Sequence, residues 1–229
     1  MRRYLLVICS IFGVLILAIV LYQVGSVLIA WYETPGMVKK LLASDQIKLR
    51  SSELTQRQKD ILLKVEDPGF YHHHGVDLGT PGAGLTTISQ AVVKKLYFKK
   101  FRPGFAKIRQ TLLARFVFDP LVPKDDQLTL FINLVWFRKG VIGMISAAEF
   151  YYGKQVSDIS EDEFISLVAM IIAPRTFDIK DRPASNAERV RRIKMLISGT
   201  YTPKGLMDQY YGTLTVEEQG GLAPASYFP

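Results

Sequence analysis

The sequence predicts a mainly α-helical protein, built as one hydrophobic N-terminal helix followed by a single helical domain. Three observations predict it. Residues 4 to 22, YLLVICSIFGVLILAIVLY, carry no charge and are about as long as a bilayer-crossing helix requires. Beyond them, apolar residues recur at helical spacing in segments separated by glycine and proline. No alternating run of strand character rivals these segments.

The apolar character of the first helix continues to Trp31, and Tyr4, Tyr22, Trp31 and Tyr32 suit the two membrane interfaces. The run is long for a cleaved leader and no small-x-small site follows it closely, so residues 1–32 are assigned as a retained membrane anchor. Arg2 and Arg3 precede the span, while Glu33, Lys39 and Lys40 follow it. By a narrow margin this charge pattern favours a cytoplasmic N-terminus and a domain on the other side of the membrane. Residues 33–53 are read as a membrane-proximal linker, 54–213 as the domain and 214–229 as an irregular tail.

Within the domain, Thr55 precedes TQRQKDILLKVE, which places Ile61, Leu62 and Val65 on one side of a helix that Pro68 and Gly69 end. After the glycines of PGAGLTTISQ, Ile88, Val92 and Leu96 mark a second helix. Residues 105–118 give a third, with Ile108, Leu112 and Phe116 as its stripe, and Pro123 with Asp125 and Asp126 starts a fourth. RKGVIGM reads as a glycine-hinged turn into a short helix. Two capping boxes, Ser160 with Glu163 and Ser185 with Glu188, then open helices. The first of these buries Phe164, Leu167, Val168 and Ile171. The second buries Val190, Ile193 and Leu196 and presents Arg189, Arg191 and Arg192.

Composition narrows the chemistry. The single cysteine, Cys9, lies in the predicted span, which excludes a disulfide framework and thiol catalysis in the domain. A net charge of +8 favours anionic partners, and the anchor makes membrane lipid or a lipid-linked pyrophosphate the economical choices. No nucleic-acid partner is expected, because no zinc-finger or aromatic-basic motif is present. His72, His73 and His74 are adjacent, so their side chains diverge and do not make a zinc site.

Glu66 and Asp67 stand at a helix end, where the negative end of the dipole favours a protonated carboxyl and tunes it toward general-base use. The pair equally suits a plain hydrogen-bonded turn, and the residues alone leave both readings open. Gly82, Gly84, Thr86, Thr87, Ser89 and Gln90 either approach a sugar or phosphate or form an ordinary loop; they lack nucleotide-binding spacing. Lys94, Lys107, Arg109 and Arg115 belong to a basic stretch that could hold a diphosphate if it faces a cleft.

The order of these segments resembles the membrane-bound peptidoglycan glycosyltransferases, the family of monofunctional transglycosylases and of the glycosyltransferase domain of penicillin-binding proteins. The resemblance covers about residues 54–200. The family's EDxxFxxHxG is matched by Glu66, Asp67, Phe70, His73 and Gly75. GxSTxxQQxxKN is kept at Gly84, Thr87, Gln90 and Lys94, with Thr86, Ala91 and Lys95 as departures. RKxxE is kept only at Lys107, because Ala106 and Gln110 replace the arginine and the glutamate. KxxILxxYLN retains Lys124, Leu128, Ile132 and Asn133, and RRxxVL is matched at Arg191, Arg192 and Leu196.

The resemblance implies a lysozyme-like helical fold, and an inverting transfer that polymerises lipid II with release of polyprenyl pyrophosphate at the cytoplasmic membrane of a bacterium. It makes Glu66 the general base and puts Gln110 in the place of a second catalytic carboxylate. Asp67, Phe70, His73, Gly84, Thr87, Gln90, Lys94, Lys107, Arg115 and Asn133 become substrate-binding positions, and other cell-wall synthesis proteins become candidate partners. Gln110 is neutral and weakens the divalent cation that the family's glutamate would help arrange. Together with Ala91 and Ala106 it also supports an alternative: a noncatalytic relative that binds wall precursor or an envelope protein.

Overall fold

The computed structural model describes residues 2–102 and 104–222. Helix α1, Arg2–Leu42, is unbroken through Pro35, and its stretch from Leu6 has the length and mean hydropathy (2.6) of a membrane-crossing helix. Leu6 through Tyr22 is exposed on all sides, as an anchor in lipid would be. Further along, Gln23, Ser26, Ala30, Thr34 and Val38 form one buried face at three- and four-residue spacing. The small residues on that face let α1 pack on the domain, and the Thr34 hydroxyl is hydrogen-bonded to the Tyr97 hydroxyl. The helix therefore runs well into the segment read as linker.

The domain is a set of short helices around one core. Helix α2, Gln56–Glu66, opens on a Thr55 capping box, and α3, Ile88–Tyr97, opens on one made by Thr87 and Gln90. Helix α4, Phe105–Leu113, leads into a π-helical turn, Ala114–Phe118, and a short α5, Asp119–Leu121. Helix α6, Lys124–Leu134, is followed by a hairpin of β1, Trp136–Arg138, and β2, Val141–Ile142, with Trp136 opposite Ile142. Then come α7, Met144–Tyr152, α8, Glu161–Ile171, α9, Pro183–Ile197, and α10, Val216–Gly221. Leu62, Leu128, Phe164 and Ile193 meet in the core.

Five expectations are corrected. The stripe chosen for α4 faces outward: Ile108 is 51% and Phe116 53% exposed, while Gln110, Leu113, Val117 and Phe118 are buried. The π turn adds a residue to the helical repeat and rotates the following side chains off a constant spacing. The glycine-hinged turn is a two-stranded hairpin. Helix α9 begins at Pro183 rather than at a Ser185 cap, because a proline at the first position lacks only an amide that would be unpaired there. Its buried face contains Arg189 and Arg192, and only Arg191 of the three is exposed. Finally, 216–221 of the expected tail is helical behind a Thr215–Glu218 capping box; 223–229 lies outside the described residues.

Candidate active site

Asp67 leaves helical geometry (φ −161°) and Pro68 cannot continue the ladder, so α2 stops with Glu66 as its last residue. There Glu66 lines a cleft of about 270 Å³ together with Thr86, Thr87, Lys94, Lys95 and Trp136, over an apolar floor that includes Val92 and Phe131. Burial pushes the Glu66 carboxyl up to about 8; the positive charge of Arg189 opposes that rise and the neighbouring Asp67 adds to it. A carboxylate of that acidity can take up a proton near neutral pH.

The next residues hold this end in place. Asp67 is buried and accepts from His73 Nε2 at 2.9 and 3.0 Å and from the Ile88 amide at 2.9 Å. One carboxylate thus joins the end of α2 to the start of α3. Phe70 is buried beneath, edge-on to Tyr71 and His73, with Lys124 Nζ 4.7 Å above its ring. The Thr87 hydroxyl donates to the Gly75 carbonyl at 2.8 Å, and Gln90 donates to Thr111 at 3.0 Å. Gly84 has φ +70°, and its amide donates to the Leu206 carbonyl at 2.8 Å. Of the motif positions, Glu66, Thr87 and Lys94 line the cleft, whereas Asp67, Phe70, His73 and Gln90 brace the segments behind it.

The α4 side is arranged differently. Lys107 Nζ donates to the Leu85 carbonyl at 3.0 Å and the Thr86 hydroxyl at 2.9 Å, and partial burial, reinforced by Lys94, lowers its ammonium to about 8. Gln110 does not line the cleft. It is 1% exposed, its amide donates to the Gln90 carbonyl at 2.6 Å, and its Oε1 is buried without a partner. Arg115 is exposed near the His74 carbonyl. Asn133 uses both ends of its amide on backbone: it accepts from the Lys48 and Leu49 amides and donates to the Leu49 and Thr129 carbonyls. It thereby fastens the segment after the anchor to α6. Gln110 offers no carboxylate to a cation and is turned into the packing, and among the described residues no three His, Cys, Asp or Glu side chains gather at one point.

Sequence reasoning missed Arg189. Its side chain is buried beside Glu66, with Nε and Nη1 unpartnered and the guanidinium 4.7 Å from the Tyr211 ring, 5.7 Å from Tyr210 and 5.9 Å from Phe177. A signal existed: Arg189 precedes Ile193 and Leu196 by four and seven residues, which places a charge on the apolar stripe.

Fold and site together define a membrane-associated helical domain whose cleft sets one carboxyl among lysines. The transglycosylase family model matches residues 36–197, and the chain belongs to that family. It is 26% identical to penicillin-binding protein 1F of Bacillus subtilis over 66% of this chain and 23% of that protein. It is 26% identical to penicillin-binding protein 1A of Aquifex aeolicus over 86% of this chain and 28% of that protein. The biosynthetic peptidoglycan transglycosylase of Acinetobacter baumannii is also 26% identical, over 66% of this chain and 73% of that protein. The chain thus spans about a quarter of the length of those two penicillin-binding proteins.

Proposed function

We propose that the protein is a membrane-anchored peptidoglycan glycosyltransferase of lysozyme-like fold that polymerises lipid II, with Glu66 as general base. The observation that carries the reading is a carboxyl of near-neutral acidity opening into a lysine-rimmed cleft in a chain of this family. The acceptor 4-hydroxyl attacks the anomeric carbon of the donor sugar and inverts it. As that bond forms, the bond to pyrophosphate breaks, the hydroxyl proton passes to Glu66 and polyprenyl pyrophosphate departs. Lys94 and Lys107 receive the charge gathering on the leaving oxygens; Lys107 does so by exchanging Leu85 and Thr86 for phosphate.

The anchor keeps the domain beside its lipid-linked substrate. The exposed apolar residues Phe105, Ile108 and Phe116 lie on α4 and the π turn, which pack beside α1, and they give the domain a second surface suited to lipid. We assign the N-terminus to the cytoplasm and the domain to the outer side of the bacterial inner membrane, where other wall-synthesis proteins are candidate partners.

The burial of Gln110 favours one rival, a noncatalytic protein that binds wall precursor. Polymerisation of labelled lipid II by the full-length protein in detergent separates the two. Polymer from the native sequence that disappears in Glu66→Gln is the expected result; lipid II binding without polymer in every form would sink the enzymatic reading.

A further inference from the structure

The chain beyond Ile197 lies outside the family-matched residues, yet it packs against two segments next to the cleft wall, the Gly82–Gly84 turn and the last turn of α2. Between Tyr201 and Gly212 it is folded on itself: the Asp208 carboxylate accepts from the Tyr201 hydroxyl at 2.6 Å and from the Lys204 amide at 2.9 Å. This turn presents the carbonyls of Gly205 and Leu206 to the amides of Gly82 and Gly84, at 2.9 and 2.8 Å. Both glycines have positive φ. A Cβ at Gly84 would lie 2.2 Å from Gln209 Oε1, and one at Gly82 would lie 2.9 Å from Pro203 Cγ. At Gly82 the obstacle is a proline ring, so both space and φ require glycine there; at Gly84 it is the movable end of Gln209, and the positive φ is what favours glycine.

The second contact is made by Tyr211. It is 3% exposed and is the one non-glycine with positive φ (56°) among the described residues, a conformation that an aromatic residue holds only when its surroundings over-determine it. Its hydroxyl donates to the Val65 carbonyl at 2.8 Å. That carbonyl belongs to the last turn of α2 and has no partner within the helix, so Tyr211 caps α2 one residue before Glu66. The charged and titratable groups around Glu66 are Arg189 from α9, Asp67 beside it in the chain, Tyr211, and Lys94 and Lys95 from α3 across the cleft.

We propose that residues 201–212 form a positioning strap: backbone carbonyls fix the Gly82–Gly84 turn that leads into the Thr86–Thr87 wall, and Tyr211 holds the helix end that aims Glu66. Its consequence for turnover rests on the glycosyltransferase reading, whereas the contact itself rests on geometry. Tyr211 acts through Glu66. Losing its hydroxyl leaves an uncapped carbonyl beside the carboxyl, which disfavours the ionised base.

The test uses the full-length protein in detergent, as native, Asp208→Ala and Tyr211→Phe forms. Hydrogen exchange is followed over residues 79–87 and lipid II polymerisation is followed against pH. Asp208→Ala should speed exchange at the Gly82 and Gly84 amides about tenfold, as expected when the hydrogen bonds that fold the strap are lost, with α8 unchanged. Tyr211→Phe should lower kcat about tenfold with KM within about twofold, and should move the acid limb of the pH profile upward. Unchanged exchange in Asp208→Ala overturns the strap whether or not the protein polymerises lipid II. Altered exchange with a native pH profile and kcat in Tyr211→Phe overturns the positioning role. If the native protein makes no polymer, the glycosyltransferase reading fails on its own, and exchange still decides the strap.

Discussion

On the α2 side of the cleft, Asp67 is held by His73 and the Ile88 amide, which leaves Glu66 open to the cavity at a fixed helix end. On the α4 side, Gln110 directs its amide to the Gln90 carbonyl and buries an unpartnered oxygen, while Lys107 reaches over to the loop. The contrast follows the residues. Where EDxxFxxHxG is intact, Asp67, Phe70 and His73 brace the helix end that carries Glu66; where Ala106 and Gln110 stand, the Gln110 side chain packs inside the domain. Glu66 and Gln110 lie on separate helices with separate supports, so the packing of one leaves the placement of the other standing.

The largest expected effect is at Glu66. Replacing it with glutamine should reduce polymerisation about 10²- to 10⁴-fold, the range for loss of a general base. Stability should move the other way. The folded carboxyl titrates near 8 against an ordinary 4.5, so between those pH values the folded state holds a proton that the unfolded state has released. Its contribution to stability therefore falls as pH rises through that window, and Glu66→Gln should gain on the order of 1–3 kcal/mol at pH 8 and almost nothing at pH 4. Thermal melts at the two pH values measure this; equal melting at both would mean that Glu66 is solvated like a surface acid, and the two sides of the cleft would then differ less than the geometry indicates.

Asp67→Ala comes next. It leaves His73 and the Ile88 amide buried without their acceptor, at a cost of about 3 kcal/mol or more. Denaturant midpoints would show it. A loss below about 1 kcal/mol, typical of an exposed pair, would remove the bracing assigned to this side.

Much of this was legible in the sequence. The long apolar first helix, α2 with its Thr55 cap, the α8 box and Glu66 at a helix end all follow from local rules that tertiary packing did not override. Of the outward stripe, Phe116 sits where a π turn shifts the periodicity, whereas Ile108 precedes that turn and faces away from the side of α4 that buries Gln110 and Leu113. Arg189 and Arg192 were assigned to solvent because arginine is seldom buried. Their compensation, aromatic rings around one and Glu188 with Glu218 around the other, comes partly from residues more than twenty positions away. Gln110 matched a motif position by spacing, but only three-dimensional packing shows its amide turned toward Gln90. The strap has no sequence signal beyond its tyrosines and glycines.

The smallest expected effect is also the sharpest test of the contrast. If Gln110 were merely a neutralised catalytic carboxylate, Gln110→Glu would restore or raise polymerisation. The geometry argues otherwise: at 2.6 Å from the Gln90 carbonyl, an ionised carboxylate sets acceptor against acceptor in a site only 1% exposed. The new acid should therefore lose about 1–3 kcal/mol of stability at neutral pH. That loss should shrink as pH falls and the carboxyl regains a proton with which to donate to Gln90, because burial raises its folded pKa above the unfolded one. Polymerisation by Gln110→Glu should not exceed that of the native protein. A gain in rate with an unchanged melt would mean that residue 110 turns into the cleft during the reaction, and the α4 side would then rank with Glu66 as part of the catalytic machinery.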